Sequence, residues 1–210
     1  MKSGIAPDEL QPLPMPPEAA RALGRFDWVG GVVGHEVFAL PAPDARGLAL
    51  HRAAAISALR SERRRSDAAF EQLARDAGRP REAYFQLTVD EARASGEPIS
   101  VEQFLGPFYG AARGGIRWPG TSHAITGDDG YAYAFALPPY GLDASHAEVD
   151  ALFRTALDSL FDSLVNVEIW QWTTDWSNAF DEGHEWWGAY LWTVLVTGRH
   201  IVAVLASTTD

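Results

Sequence analysis

Residues 167–208 read VEIWQWTTDW (167–176), SNAFDEGH (177–184), EWWGAYLWTVLV (185–196), TGR (197–199) and HIVAVLAST (200–208). Aromatic and β-branched residues fill the first, third and last of these runs, which predicts three strands: Val167–Trp176, Glu185–Val196 and His200–Thr208. Thr197-Gly198-Arg199 is short and contains a glycine, so the last two strands should form a tight antiparallel hairpin. Residues 177–184 form a longer loop between the first two. Six of the eight tryptophans fall between residues 170 and 192.

Side chains alternate along a strand. Glu168, Trp170, Trp172, Thr174 and Trp176 should share one face of the first strand; Trp186, Gly188, Tyr190, Trp192, Val194 and Val196 should share one face of the second. The opposite faces carry Val167 and Ile169, then Trp187, Ala189, Leu191 and Leu195, then Ile201, Ala203 and Leu205. A sheet apolar on both faces needs a covering on each.

Helices are available for that purpose. Val149, Leu152, Phe153, Ala156, Leu157, Leu160, Phe161 and Leu164 form one apolar face of a helix over 146–164, which Asp143 or Ser145 can cap. Ile56, Leu59, Arg63, Ser66, Phe70, Leu73 and Ala77 fall at helical spacing within 45–77. Polar Arg63 and Ser66 interrupt that stripe, so the helix either breaks there or leaves the core for one turn. Gly78 and Pro80 end it. Residues 82–94 read as a further helix, although Tyr84–Val89 also suits a strand. Ser100 caps a short helix before Gly106-Pro107. Trp28–Leu40 reads as one or two strands around a glycine turn. Short strands are expected at 116–118 and 123–126, a turn at 127–130, and an alternating strand at Tyr131–Leu137.

The expected fold is α+β: a C-terminal, Trp-rich antiparallel β-meander packed on the long N-terminal helix and the 146–164 helix. Residues 1–18 form a flexible Pro-rich tail. Residues 19–210 form a single α+β domain, within which 19–97 can stand as a helical subdomain.

Composition narrows the chemistry. The chain has no cysteine, which removes disulfides, thiolate metal sites and cysteine nucleophiles. Residues 101–210 carry 4 Lys+Arg against 14 Asp+Glu, whereas residues 1–100 carry 13 against 14. The acidic half is a poor match for phosphate backbones and a good one for a basic protein or a cation. No run reaches the ~18 apolar residues of a membrane span, and the first residues lack a signal-peptide core. The expectation is therefore a cytoplasmic protein that binds neither nucleic acid nor membrane. GxGxxG and GxxxxGK[ST] motifs are absent and no cofactor is called for. The arginines of Arg60–Arg65 spread around their helix, where Glu62, Asp67 and Glu71 can pair with them. His35, His51, His123, His146 and His200 are scattered.

The loop and its flanks concentrate polar groups. Asp175, Asp181, Glu182 and Glu185 accompany Ser177, Asn178 and His184. The leading reading is a non-catalytic module, of the kind in which an immunity protein neutralises a bacterial toxin, that captures a basic partner with Asp175, Trp176, Asp181, Glu182, Glu185 and Trp186. One alternative is a small hydrolase using His184 with Asp181 or Glu185. Another is a small-molecule or sugar binder on the tryptophan face. The spacing of the carboxylates matches neither an EF-hand nor a zinc motif, so no metal is assigned.

Overall fold

The protein was analysed as a computed structural model, which describes residues 10–118 and 129–207. The strand expected at 123–126, His123 and the first half of the 127–130 turn lie outside the described residues. Eight strands and six α-helices follow in the order β1 (Pro12–Leu13), α1 (Pro17–Trp28), β2 (Val33–Ala39), α2 (Leu48–Ala77), β3 (Gly96–Ile99), α3 (Val101–Leu105), β4 (Tyr109–Gly110), β5 (Gly115–Ile116), α4 (Gly130–Ala136), α5 (His146–Phe161), β6 (Val167–Trp172), α6 (Asp181–Trp186), β7 (Tyr190–Val196) and β8 (His200–Ala206). Six strands form one antiparallel sheet in the order β1-β2-β8-β7-β6-β3, while β4 and β5 pair separately. The α+β architecture and the closing meander are as expected.

Every residue of β7 is buried, and the sheet is covered on both sides. One face carries Val33, Val37, Val202, Val204, Trp192, Val194 and Ile169, which join α1, α4 and α5 in one core. The other carries Phe38, Ile201, Ala203, Leu195, Leu191 and Trp172, which pack on Leu50, Ala53, Ala54, Ala58 and their neighbours in α2. The small alanines of α2 let that helix lie close on the sheet.

Register alters the expected sharing of tryptophans. Trp170 is opposite Thr193, and Gln171 is opposite Trp192. Paired residues point to the same side, so Trp170 and Trp172 face α2 while Tyr190 and Trp192 face α4 and α5. Alternation within each strand was read correctly, but a one-residue offset between strands exchanges whole faces.

Several element boundaries also differ. β6 stops at Trp172, and β7 begins at Tyr190 because residues 181–186 coil into α6. Tyr131–Ala136 is helix α4, not a strand, and all of it is buried. A buried segment with no neighbouring strand must satisfy its backbone internally, which a helix does and a lone strand cannot. The helix expected over 82–94 is replaced by two single turns, Arg81–Ala83 and Glu91–Arg93. Helix α1 was not anticipated; Pro17 occupies its first position, where a missing N–H does no harm. Within the Pro-rich stretch, Leu10 is buried and Pro12–Leu13 pair with Val37 and Phe38.

Helix α2 runs unbroken for 30 residues, about 45 Å at 1.5 Å per residue. Residues Leu50–Leu59 are buried except Arg52, whereas beyond Leu59 only Ala74 is. The interrupted stripe thus marks departure from the core, not a break. Phe70 in the outer half meets Tyr84 and Phe85 at 6.1 and 6.2 Å, and the Arg81 guanidinium lies 5.4 Å from its ring centre. The Asp67 carboxylate accepts from Arg81 at 2.7 Å.

The two halves of α2 should respond differently to substitution. Ala54→Phe overfills the sheet contact and should destabilise by about 1–3 kcal/mol. Leu73→Glu, in the half-exposed outer turn, should stay within about 0.5 kcal/mol of the parent. Urea unfolding of both variants checks this contrast.

Candidate functional site

The segment expected as an acidic loop is stitched into the fold. Ser177 Oγ accepts from the Ala179 amide at 3.3 Å. The Asn178 side chain accepts from the Thr88 amide at 2.7 Å and donates to the Gln86 carbonyl at 3.0 Å. The Asp90 amide donates to the Trp176 carbonyl at 2.8 Å. These bonds tie residues 176–178 to 86–90. At Gly183 an added Cβ would sit 2.3 Å from the Gly188 carbonyl oxygen, so only glycine lets α6 fold back against the entry to β7.

This fold sorts the predicted site residues. Trp176 is buried beside Trp172, Phe180 and Ile56, and its indole donates to the Thr173 carbonyl at 2.5 Å. It offers no surface to a partner. Asp175 is exposed and ion-pairs with Arg93 at 2.5 Å. A hydrogen bond from the Thr173 side chain, then Arg93, holds its carboxyl below the usual range. Asp181 and Glu185 are exposed, and Glu182 is half-buried. Trp186 is 43% exposed and meets Tyr140, 69% exposed, edge-on at 5.7 Å. His184 Nε2 lies 2.9 Å from Thr174 Oγ1. Among the described residues no hydrogen bond joins His184 to Asp181 or Glu185, and no group of three or more His, Cys, Asp or Glu is placed to hold a metal ion.

A groove of about 760 Å³ lies between the outer half of α2 and this segment. Its lining combines apolar Phe70, Phe85, Leu87 and Phe180 with Glu62, Glu182 and Tyr140, and among the described residues includes no Lys, Arg or His. Glu62 is paired with Arg65 at 2.6 Å. Glu182 has no ion pair among the described residues. Tyr140 thus belongs both to the groove and to the aromatic pair with Trp186.

Two of the scattered histidines are structural centres that the sequence reading passed over. His51 of α2 is fully buried, with Nδ1 2.8 Å from Thr193 Oγ1. The Trp172 indole donates to the same hydroxyl at 2.9 Å. If the Thr193 hydroxyl donates to Nδ1, the imidazole proton sits on Nε2, which is buried without a hydrogen-bond partner and faces Glu168 Oε1 at 3.7 Å. Glu168 also accepts from the Trp170 indole at 3.1 Å and from the Gly47 amide at 3.4 Å. Gly47 precedes α2 and has no capping side chain, so the carboxylate complements the positive end of a long helix.

The order threonine, histidine, carboxylate has the composition of a hydrolytic triad. However, Thr193 and His51 are both fully buried and the indole already occupies the hydroxyl oxygen. No substrate can reach it, and the cluster acts as a clamp holding α2 on the sheet. On the other face, His35 Nε2 lies 2.9 Å from the Tyr131 hydroxyl of α4. The signal for both was position: a histidine on an otherwise apolar helix face, and one on a strand. Neither has a neighbouring motif in sequence.

Burial pushes the His51 imidazole down to about 4 and the His35 imidazole down to about 3, against opposing effects from Glu168 and the Thr193 backbone for the first and the Val33 backbone for the second. Burial likewise pushes the Tyr131 phenol up. The chain matches no protein-family model, and neither a curated protein nor a solved structure is significantly similar to it.

Because both imidazoles titrate lower in the fold than when unfolded, the unfolded chain takes up protons first. The stability tied to their neutral forms is complete above the unfolded value near 6.5 and is lost as pH falls toward about 4. The urea midpoint should therefore drop between about pH 6.5 and 4.5, ahead of most carboxylates, and drop less in His51→Gln. Thr193→Val removes the shared partner of a buried indole and imidazole and should destabilise by about 1–3 kcal/mol at neutral pH, read by the same unfolding curves.

Proposed function

We propose that this chain is a non-catalytic binding protein that captures a basic protein partner on the face formed by α6, Tyr140 and the adjoining groove. One observation carries the reading: an exposed Tyr140–Trp186 pair stands beside a groove whose lining, among the described residues, has two carboxylates and no cationic side chain. Exposed Asp181 and Glu185 extend the same sign of charge over the outer side of α6.

The division of labour follows from general interface physics. Carboxylates steer a basic surface toward the site and raise the association rate. Large aromatic side chains then supply buried area at little conformational cost, and an indole or phenol face also attracts guanidinium and ammonium groups. The apolar floor of Phe70, Phe85, Leu87 and Phe180 suits the aliphatic stem of an arginine or lysine. Of the residues anticipated for binding, Asp181, Glu182, Glu185 and Trp186 remain in this role. Asp175 is engaged by Arg93 and Trp176 is enclosed, whereas Tyr140 joins the site. Neutralisation of a basic toxin, as an immunity protein performs it, is the narrower form of this proposal.

A photo-crosslinking residue at position 140, used in native lysate, tests the reading. The expected product is a protein of net positive charge, whose capture weakens with added salt and falls at least about tenfold in Glu182→Ala/Trp186→Ala. Capture of acidic proteins, or equal capture by the double variant, would contradict it.

A further inference from the structure

A second cavity, of about 640 Å³, opens on the α4 side of the sheet and is separate from α6. β6 turns Val167, Ile169 and Gln171 toward this side, and β3 turns Glu97 and Ile99. Gln171 is directly opposite Glu97 in the ladder. Apart from His35 of β2 and His200 of β8, the face is apolar along its other strands, and it ends here in a carboxamide and a carboxylate.

The rest of the wall is built around that pair. Glu102 and Gln103 come from α3, and the buried rings of Tyr190 and Trp192, stacked with centres 5.0 Å apart, close the cavity. Ser100 fixes α3 through a reciprocal cap: its hydroxyl accepts from the Gln103 amide at 3.2 Å, and its own amide donates to Gln103 Oε1 at 2.8 Å. That leaves the Gln103 side-chain N–H₂ group available. Gly106 and Gly130 hold α3 against α4 at backbone contact, both at positive φ; a Cβ on Gly106 would lie 2.2 Å from the Asp129 carbonyl oxygen. The wall is thus preformed.

Its chemistry has one sign. Among the described residues Glu97 and Glu102 are exposed carboxylates with no ion pair, and the lining contains no Lys, Arg or His. The Gln171 carboxamide is half-buried and makes no hydrogen bond among the described residues. A metal ion is a poor match, since among the described residues no group of three ligating side chains is assembled there. The volume lies within the range of small-ligand pockets.

We propose that this cavity binds a small organic cation of the alkylamine or guanidine class, its charged head held by Glu97 and Glu102 and a further donor held by Gln171. This site is independent of the partner surface at α6. Neither Glu97 nor Glu102 contributes to that surface, so the two readings can fail separately.

Calorimetric titration of the full chain with agmatine, which carries a guanidinium and an amine, provides the test. Agmatine should bind saturably at millimolar concentration or below, and at least about tenfold more weakly to Glu97→Gln/Glu102→Gln. Both positions are solvent-exposed, so the double variant should unfold at the parent temperature. Amide NMR shifts on the unsubstituted chain give a second readout: Gly106, Gly130 and Gln171 should move, with α6 unchanged. Glucose, an uncharged polyol, should not bind. Absence of agmatine binding, undiminished binding by the double variant, shifts confined to other surfaces, or binding of glucose in place of agmatine would each overturn the proposal.

Discussion

A central strand with no solvent-facing residue is the constraint on which the rest of this fold depends. All seven residues of β7 are buried, and its neighbours β6 and β8 bond to both of its edges. Apolar side chains leave both faces of the strand, so water must be excluded from both. That requirement places α2 on one side and α1, α4 and α5 on the other. Closing both faces removes most of the tryptophan surface from solvent: Trp172, Trp176, Trp187 and Trp192 are all buried, and Trp186 is left as the exposed member of the cluster.

Each covering layer is tied to the sheet by a histidine, fully buried at His51 and half-buried at His35. On the α2 side, His51 meets Thr193, and Glu168 reaches from β6 to the start of the helix. On the α4 side, His35 meets Tyr131. Polar groups in an apolar layer raise the free energy of every packing that leaves them unpaired, so they select one placement of the helix over its alternatives. Both histidines are neutral when buried, which links the same selection to pH.

The surfaces available for binding are what remains once the sheet is closed. The outer half of α2 continues past the core and forms one wall of the groove beside α6. On the opposite side, the sheet face ends in Glu97 and Gln171 where α3 and α4 meet it. Among the described residues both cavities have carboxylates and no cations in their linings, one carboxylate in each coming from either half of the chain: Glu62 and Glu182 in the first, Glu97 and Glu102 in the second.

Sequence alone determined what depends on near neighbours: the meander and its tight turn at 197–199, the helix from 146 with its cap narrowed to Asp143 or Ser145, the cap at Ser100 and the unequal charge of the two halves. Periodicity and capping are local, and so they are legible in order along the chain. Only the tertiary structure decided the inter-strand offset that sends Trp170 and Trp192 to opposite faces, the burial that makes Tyr131–Ala136 a helix, and the meeting of His51 with a threonine 142 residues away. Each of these depends on a partner distant in sequence, and the pattern of a segment carries its own period but not the identity of what it will touch.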